Sequence, residues 1–368
     1  NTCGVTTLCL DLITVGIDET LQHECVKLCT AMLFKEGGAK EVQRTMFEHL
    51  NSTQSELFFR QMKVAMQKCI DWHKWNGVVV LEEDEDPELP EDFRVIRFLQ
   101  LMSEGHYEPN QDIVREQPHN HNSINLLDDM VIFANTLSRL PCKTSSKAGI
   151  GVTNTILEVI QGPCTKNQSH FALNTELIET LNRLMRAKTI NDCDEGDEIE
   201  YKMTAVDIFQ GLLEGQGAKS AVYERVLSVI HLDILQILAD PGDAVDPSGA
   251  VDEENEDDMV LLRTECLVLL QMLFDYRPAL REELGMDEME ELPEGVACVE
   301  VLWRGELQRR FFHIPDICAN LAKASMDKLV EDVDRSNQEN KLLDFLYRAQ
   351  ELYREVTHQE WLNNHPLK

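Results

Sequence analysis

The residues best placed for chemistry in this sequence lie in two short segments, Phe98-Leu-Gln-Leu-Met-Ser-Glu-Gly-His106 and Leu157-Glu-Val-Ile-Gln-Gly-Pro-Cys164. Each reads as an apolar helix stopped by glycine, with oxygen-bearing side chains in its last turn. Glu104 precedes Gly105 and His106 follows it, while Glu158 and Gln161 share a helix face just before Gly162-Pro163. Glycine ends helices because it accepts the left-handed conformation, and a following proline blocks continuation. The last carbonyls of a helix are unpaired and its C-terminal end carries partial negative charge, so a carboxylate there is disfavoured unless a cation offsets it. Two such ends, brought together by the fold, make a cation site of hard oxygens, which suits Ca²⁺.

The elements that must position these segments are helical. Apolar residues recur at helical spacing over Leu8–Ile13, Leu21–Phe34, Glu41–Leu50 and Ser52–Ile70, with breaks at Gly16, Gly37-Gly38 and Asn51-Ser52. Further helices are predicted over Arg94–Ser103, Leu126–Leu140, Asn154–Gln161, Leu173–Ala187, Met203–Glu214, Lys219–Ala239 and Met259–Tyr276. Three acidic stretches interrupt them, at 82–92, 192–200 and 240–258; they are too charged to bury apolar surface and read as linkers. None has the alternating oxygens, central glycine and terminal glutamate of an EF-hand loop. Helix pairs with short connections predict a stacked α-solenoid, although no clean sequence period shows. From about residue 290 the character changes. Val296–Trp303 and Leu307–His313 flank Arg304-Gly305-Glu306 as a β-hairpin, followed by a helix from Pro315 to about Val333 and another from Gln338 to about Trp361.

Composition narrows the function. The chain has 368 residues, 43% of them apolar, enough for a core and for two or three domains. Its 34 basic residues against 66 acidic ones give a net charge of −32, which argues against nucleic-acid binding and against docking on anionic lipid through a broad basic face. The 11 cysteines are scattered through apolar runs without a CxxC pair, as expected of reduced cytosolic thiols; Cys25 and Cys29 lack companion ligands. No uninterrupted apolar run reaches the ~18–20 residues of a membrane span, no signal peptide opens the sequence, and its start at Asn1 reads as that of a fragment or processed chain. No arrangement of Ser, His and Asp, phosphate-cradling glycine loop or HExxH is present, and His119-Asn-His121 reads as an exposed loop, so an enzyme is not expected.

The segments Arg97-Phe-Leu-Gln-Leu-Met-Ser-Glu-Gly-His106 and Leu157-Glu-Val-Ile-Gln-Gly-Pro-Cys-Thr-Lys-Asn-Gln168 resemble the cytosolic domain shared by inositol trisphosphate receptors and ryanodine receptors. Glu36-Gly-Gly-Ala-Lys-Glu-Val-Gln43 is similar to the armadillo-like helices that precede it. Phe312-His-Ile-Pro-Asp-Ile-Cys318, Lys341-Leu-Leu-Asp-Phe345 and Trp361-Leu-Asn-Asn-His-Pro366 resemble the inositol trisphosphate branch. The resemblance implies a mostly α chain: an armadillo-like α-solenoid followed by a small β-hairpin-plus-helices module. It divides the chain into armadillo-like repeats over 1–81, an acidic linker over 82–92, a receptor-associated helical domain over 93–277, and an intervening lateral domain over 290–368 that leads to the first membrane helix. It implies a cytosolic regulatory segment of a tetrameric, ligand-gated calcium-release channel at the endoplasmic reticulum membrane.

By the same resemblance, Glu104 and Glu158 are calcium ligands, with His106 and Gln161 beside them, and a further ligand comes from a C-terminal linker domain outside these residues. Lys341 and Phe345 match contacts to an adenine nucleotide, which makes ATP a second ligand. The implied partners are the linker domain and pore of the same channel in a homotetramer, with no nucleic acid, and with membrane contact only through a transmembrane region outside this chain. The competing expectation is an α-solenoid that binds partner proteins through its helical faces and senses no ion.

Overall fold

The computed structural model describes residues 4–16, 18–35, 38–52, 55–76, 88–140, 142–186, 195–217, 219–239, 255–286, 295–303, 305–314 and 338–364. The chain divides into two compact units, Asn1–Glu288 and Met289–Lys368.

The first unit is built of helices in groups of three. Helices α1 (Val5–Val15), α2 (Glu19–Leu33) and α3 (Lys40–Ser52) pack on one another. The pattern recurs with α4 (Glu56–Asn76), α5 (Arg94–Ser103) and α6 (Glu108–Arg115). It recurs again with α7 (Leu126–Leu137), α8 (Lys143–Ile160) and α9 (Thr165–Asn174). A fourth group is α10 (Leu177–Arg186), α11 (Glu195–Leu213) and α12 (Ala221–Val229). The fifth is α13 (Leu232–Ala239), α14 (Glu256–Tyr276) and α15 (Ala279–Glu283). Equivalent helices stack from group to group: α1 on α4 on α7 on α10 on α13, and α2 on α5 on α8 on α11 on α14. A third layer runs from α3 through α6 and α9 to α12. This is a mostly α solenoid with a three-helix repeat.

A buried aromatic cluster joins α4 to α5. Phe98 of α5 and Phe58 and Phe59 of α4 are fully buried, with ring centroids 5.2 Å (Phe58–Phe59) and 6.3 Å (Phe58–Phe98) apart in edge-to-face geometry. Burying such a ring contributes about 2–3 kcal/mol. Helix α8 contains Gly149 because the Tyr201 ring of α11 lies where a Cβ would stand. Close approach of these two helices therefore depends on the missing side chain.

Several helices differ from expectation for identifiable reasons. Leu173–Ala187 is two helices, because the Thr175 hydroxyl accepts from Leu177 N–H (3.2 Å) and starts α10 afresh. Lys219–Ala239 is also two. Asn182 of α10 accepts from His231 N–H (3.1 Å) and donates to Val229 C=O (2.7 Å), taking the place of the helix's own hydrogen bonds at that point. Helix α6, unmarked by apolar periodicity, begins with Glu108 and Pro109, residues that favour a first turn. The acids at 195–198 and 256–258 are not linker; they form the first turns of α11 and α14, where negative charge meets the positive end of the helix.

In the second unit, β1 (Val296–Trp303) pairs antiparallel with β2 (Glu306–His313), from Val296 opposite His313 to Trp303 opposite Glu306. Gly305 holds φ 85°, the left-handed conformation that so tight a connection requires. A single helix, α16, covers Gln338–Asn364. The helix expected from Pro315 lies outside the described residues.

Candidate metal centre

The two glycine-stopped helix ends belong to equivalent helices of neighbouring repeats, α5 and α8, which pack side by side. Helix α5 ends at Ser103 with Glu104 in extended conformation, after which Gly105 (φ 68°) and His106 (φ 60°) turn the chain into α6. His106 is the one non-glycine residue with positive φ among the described residues. Helix α8 ends at Ile160, with Gln161 extended and Gly162 at φ 111°. The ends touch: a Cβ on Gly162 would lie 2.8 Å from His106 Cβ. Glu104, His106, Glu158 and Gln161 are thus brought into one neighbourhood.

Side-chain amides finish both ends. Gln43 Nε2, reaching from α3, donates to the carbonyls of Glu104 (2.7 Å), Leu101 (3.1 Å) and Met102 (3.3 Å). Gln111 Nε2, from α6, donates to the carbonyls of Glu158 (2.7 Å) and Gln161 (2.9 Å). The main-chain oxygens are therefore satisfied, and the carboxylates are what remain available to a ligand.

Those carboxylates are in tension. Glu158 is half-buried, and its Oε2 is buried with no hydrogen-bond donor. Burial, and then the neighbouring Glu104 carboxylate, push the Glu158 carboxyl up to about 7, while Arg97 pulls it the other way. Arg97 is engaged elsewhere, donating to Gln100 (2.7 Å) and standing 5.9 Å from the centre of the Phe34 ring. An orphaned buried oxygen beside a second carboxylate fits a small hard cation.

Lys341 and Phe345 fall one turn apart in α16, and their side chains lie outside the described residues. His119 and His121 are exposed in the loop from α6 to α7. Cys25 and Cys29 are buried where α2 meets α1; burial, and then the neighbouring Cys9 thiol, push both thiols above their ordinary value, which favours the protonated form.

Sequence reasoning missed one further cluster. Glu19 and His23 of α2 meet Asp92, with His23 Nε2 3.3 Å from Asp92 Oδ1. Lys68 already supplies the cation there: its ammonium pairs with Glu19 and lies 3.6 Å from Asp92, and this contact holds the Glu19 carboxyl below its ordinary value. The residues come from α2, α4 and the turn before α5, so no local spacing announces the cluster.

Residues 91–185, which run from the turn before α5 through α10 and include both candidate glutamates, match the family described as RyR and IP3R Homology associated. Over these residues the chain is similar to the domain that ryanodine receptors and inositol trisphosphate receptors share. The inositol 1,4,5-trisphosphate receptor itr-1 of Caenorhabditis elegans is similar over 363 aligned residues at 22% identity, covering 73% of this chain and 12% of the relative. The chain thus corresponds to about an eighth of that receptor's length. Among the described residues, no helix is long and apolar enough to cross a membrane.

Proposed function

We propose that this chain is a cytosolic regulatory segment of a tetrameric, ligand-gated calcium-release channel of the endoplasmic reticulum, and that it supplies half of an activating Ca²⁺ site. The observation that carries the reading is the buried, donor-less Oε2 of Glu158 facing the field of Glu104. Glu104 and Glu158 would hold the ion, with His106 and Gln161 flanking them. Bound Ca²⁺ supplies the positive charge that relieves the repulsion between the two carboxylates. Two carboxylates offer at most four oxygens where Ca²⁺ takes about 6–8, so completion falls to another part of the channel, the C-terminal linker domain. A site completed across domains couples the solenoid to the pore, because the ion favours the arrangement that brings all its ligands together. Lys341 and Phe345 on one face of α16 are the proposed contacts for the phosphate and base of ATP.

The test is calcium activation of the full-length protein, read as Ca²⁺ flux. Glu104→Ala and Glu158→Ala should each raise the activating concentration at least tenfold. If both variants respond as the parent does, the calcium reading fails. The solenoid would then stand as an interaction scaffold, a reading favoured by a cavity of about 320 Å³ between α3 and α6, lined by Phe47, Asn51, Glu108, Ile113, Arg115 and Lys166.

A further inference from the structure

The two glutamines that finish the α5 and α8 ends have a third counterpart. Gln168 Nε2, from α9, donates to the carbonyls of Gly211 (2.7 Å) and Glu214 (3.0 Å) at the end of α11. In all three cases the glutamine sits in the third helix of one repeat and caps the second helix of the next, at the same two positions: Leu101 and Glu104, Glu158 and Gln161, Gly211 and Glu214. Two asparagines bind the series lengthwise. Asn110 Nδ2 donates to Met102 C=O (2.8 Å) and Gln43 C=O (3.4 Å); Asn167 Nδ2 donates to Val159 C=O (2.8 Å) and Gln111 C=O (2.9 Å). All five side chains are essentially fully buried.

Superposing these contacts on the sequence exposes a repeat. Glu36-Gly37 with Gln43, Glu104-Gly105 with Gln111, and Gln161-Gly162 with Gln168 are one motif, an acid or amide, then glycine, then glutamine at the same later position. Glu214-Gly215 begins a fourth copy, which has Ala221 in the glutamine's place. In this frame Glu104 corresponds to Gln161 and Glu214, and Glu158 to Leu101 and Gly211. The α8–α11 junction offers Gln161 and Gly211 where the α5–α8 junction offers Glu104 and Glu158. The capping scaffold is shared, and the acid pair appears at one junction.

We infer that Gln43 and Gln111 are positioning residues for the Glu104/Glu158 pair, each fixing the main chain that bears one carboxylate, and that Gln168 is the same part at a junction without a ligand. This rests on the calcium reading for its functional consequence and on the hydrogen bonds alone for its structural one. A carboxylate whose backbone is anchored by two or more short hydrogen bonds keeps its place relative to the other, and a site made of two helix ends depends on that.

The experiment compares Gln43→Met, Gln111→Met and Gln168→Met in the full-length protein; methionine keeps the volume and removes the donors. Amide hydrogen exchange is followed in the last turns of α5, α8 and α11, and the Ca²⁺ midpoint of flux is measured alongside. Each variant should speed exchange at least tenfold in the helix end it caps. Only Q43M and Q111M should raise the Ca²⁺ midpoint, by about fivefold or more, with Q168M within twofold of the parent. An equal midpoint shift in Q168M, or no shift in Q111M despite faster exchange at α8, overturns the positioning role. If the parent's calcium response does not depend on Glu104 and Glu158, the calcium reading falls instead. Exchange then decides by itself whether the glutamines hold the two ends, and unchanged exchange in Q43M and Q111M overturns that as well.

Discussion

His106 lies directly against Gly162, so closely that a methyl group at 162 would come within 2.8 Å of His106 Cβ. This contact joins the turn after α5 to the turn after α8 and brings the two carboxylate-bearing helix ends together. Gly162 is needed twice over, for this approach and for its φ of 111°. Gly162→Ala should therefore lower stability by about 2–3 kcal/mol and weaken any cation binding at Glu104 and Glu158. Denaturant unfolding and a Ca²⁺ titration of the same variant check the two effects separately.

His73 gives a prediction in pH. It is fully buried beside Trp72 and Phe133, neither ring nitrogen has a hydrogen-bond partner, and burial pulls its pKa down to about 4. Folding favours the neutral ring. Below the ordinary value of about 6.5 the unfolded chain takes up a proton that the folded chain refuses. The stability this residue contributes is therefore complete above 6.5 and lost as pH falls from there through about 4. His73→Phe should remove a loss on the order of 2–3 kcal/mol over that window. Urea midpoints at pH 7 and pH 4.5 for parent and variant measure it; an unchanged difference would count against the argument.

Tyr201 carries a buried hydroxyl with no partner, wedged against Gly149. Burial alone raises its pKa, the mark of a group cut off from water. Removing an unsatisfied buried hydroxyl while keeping the ring should help, so Tyr201→Phe is expected to stabilise the chain by about 1 kcal/mol. Gly149→Ala should do the reverse by several kcal/mol, since the ring has to leave its place. Thermal unfolding of the two variants, which must move in opposite directions, tests the contact.

Asn167 holds two main-chain carbonyls, of Val159 and Gln111, in a fully buried position, and its Oδ1 accepts from Arg115. Asn167→Ala should cost about 2–3 kcal/mol, because it takes the donor from the Val159 carbonyl at the end of α8 and a second hydrogen bond from the Gln111 carbonyl. Asn167→Asp, close in shape, should cost at least as much, as its carboxylate cannot donate to either. Denaturant unfolding of both variants measures the cost. If Asn167→Asp proved as stable as the parent, packing rather than hydrogen bonding would be what fixes this side chain.

Much of the architecture was legible in local pattern. The apolar spacing of Arg94–Ser103 and Met259–Tyr276 marked helices because each buries a stripe at helical period, and Gly305 between two runs of β-branched or aromatic residues marked the hairpin. The endings at Gly105 and Gly162 were legible because left-handed backbone selects glycine. What failed was whatever depended on a side chain from elsewhere. Nothing local stops the helix at Ile230; Asn182, from another helix, does so. The three-helix repeat stayed hidden because its copies are unequally spaced and share only an acid or amide before a glycine and, in three of them, a later glutamine. Their common role shows in which carbonyls the glutamines reach.

The sequence by itself determined the helices, their glycine stops, and a pair of acids at two of those stops. These follow from backbone conformation and the period of apolar residues, which are properties of a few neighbouring residues. Tertiary structure alone decided that the two stops face one another across the α5–α8 junction. It also decided that amides from α3 and α6 satisfy their carbonyls, and that Glu158 loses its water beside Glu104. Burial and electrostatic repulsion are properties of a neighbourhood, and this neighbourhood is made by the stacking of repeats far apart in the chain.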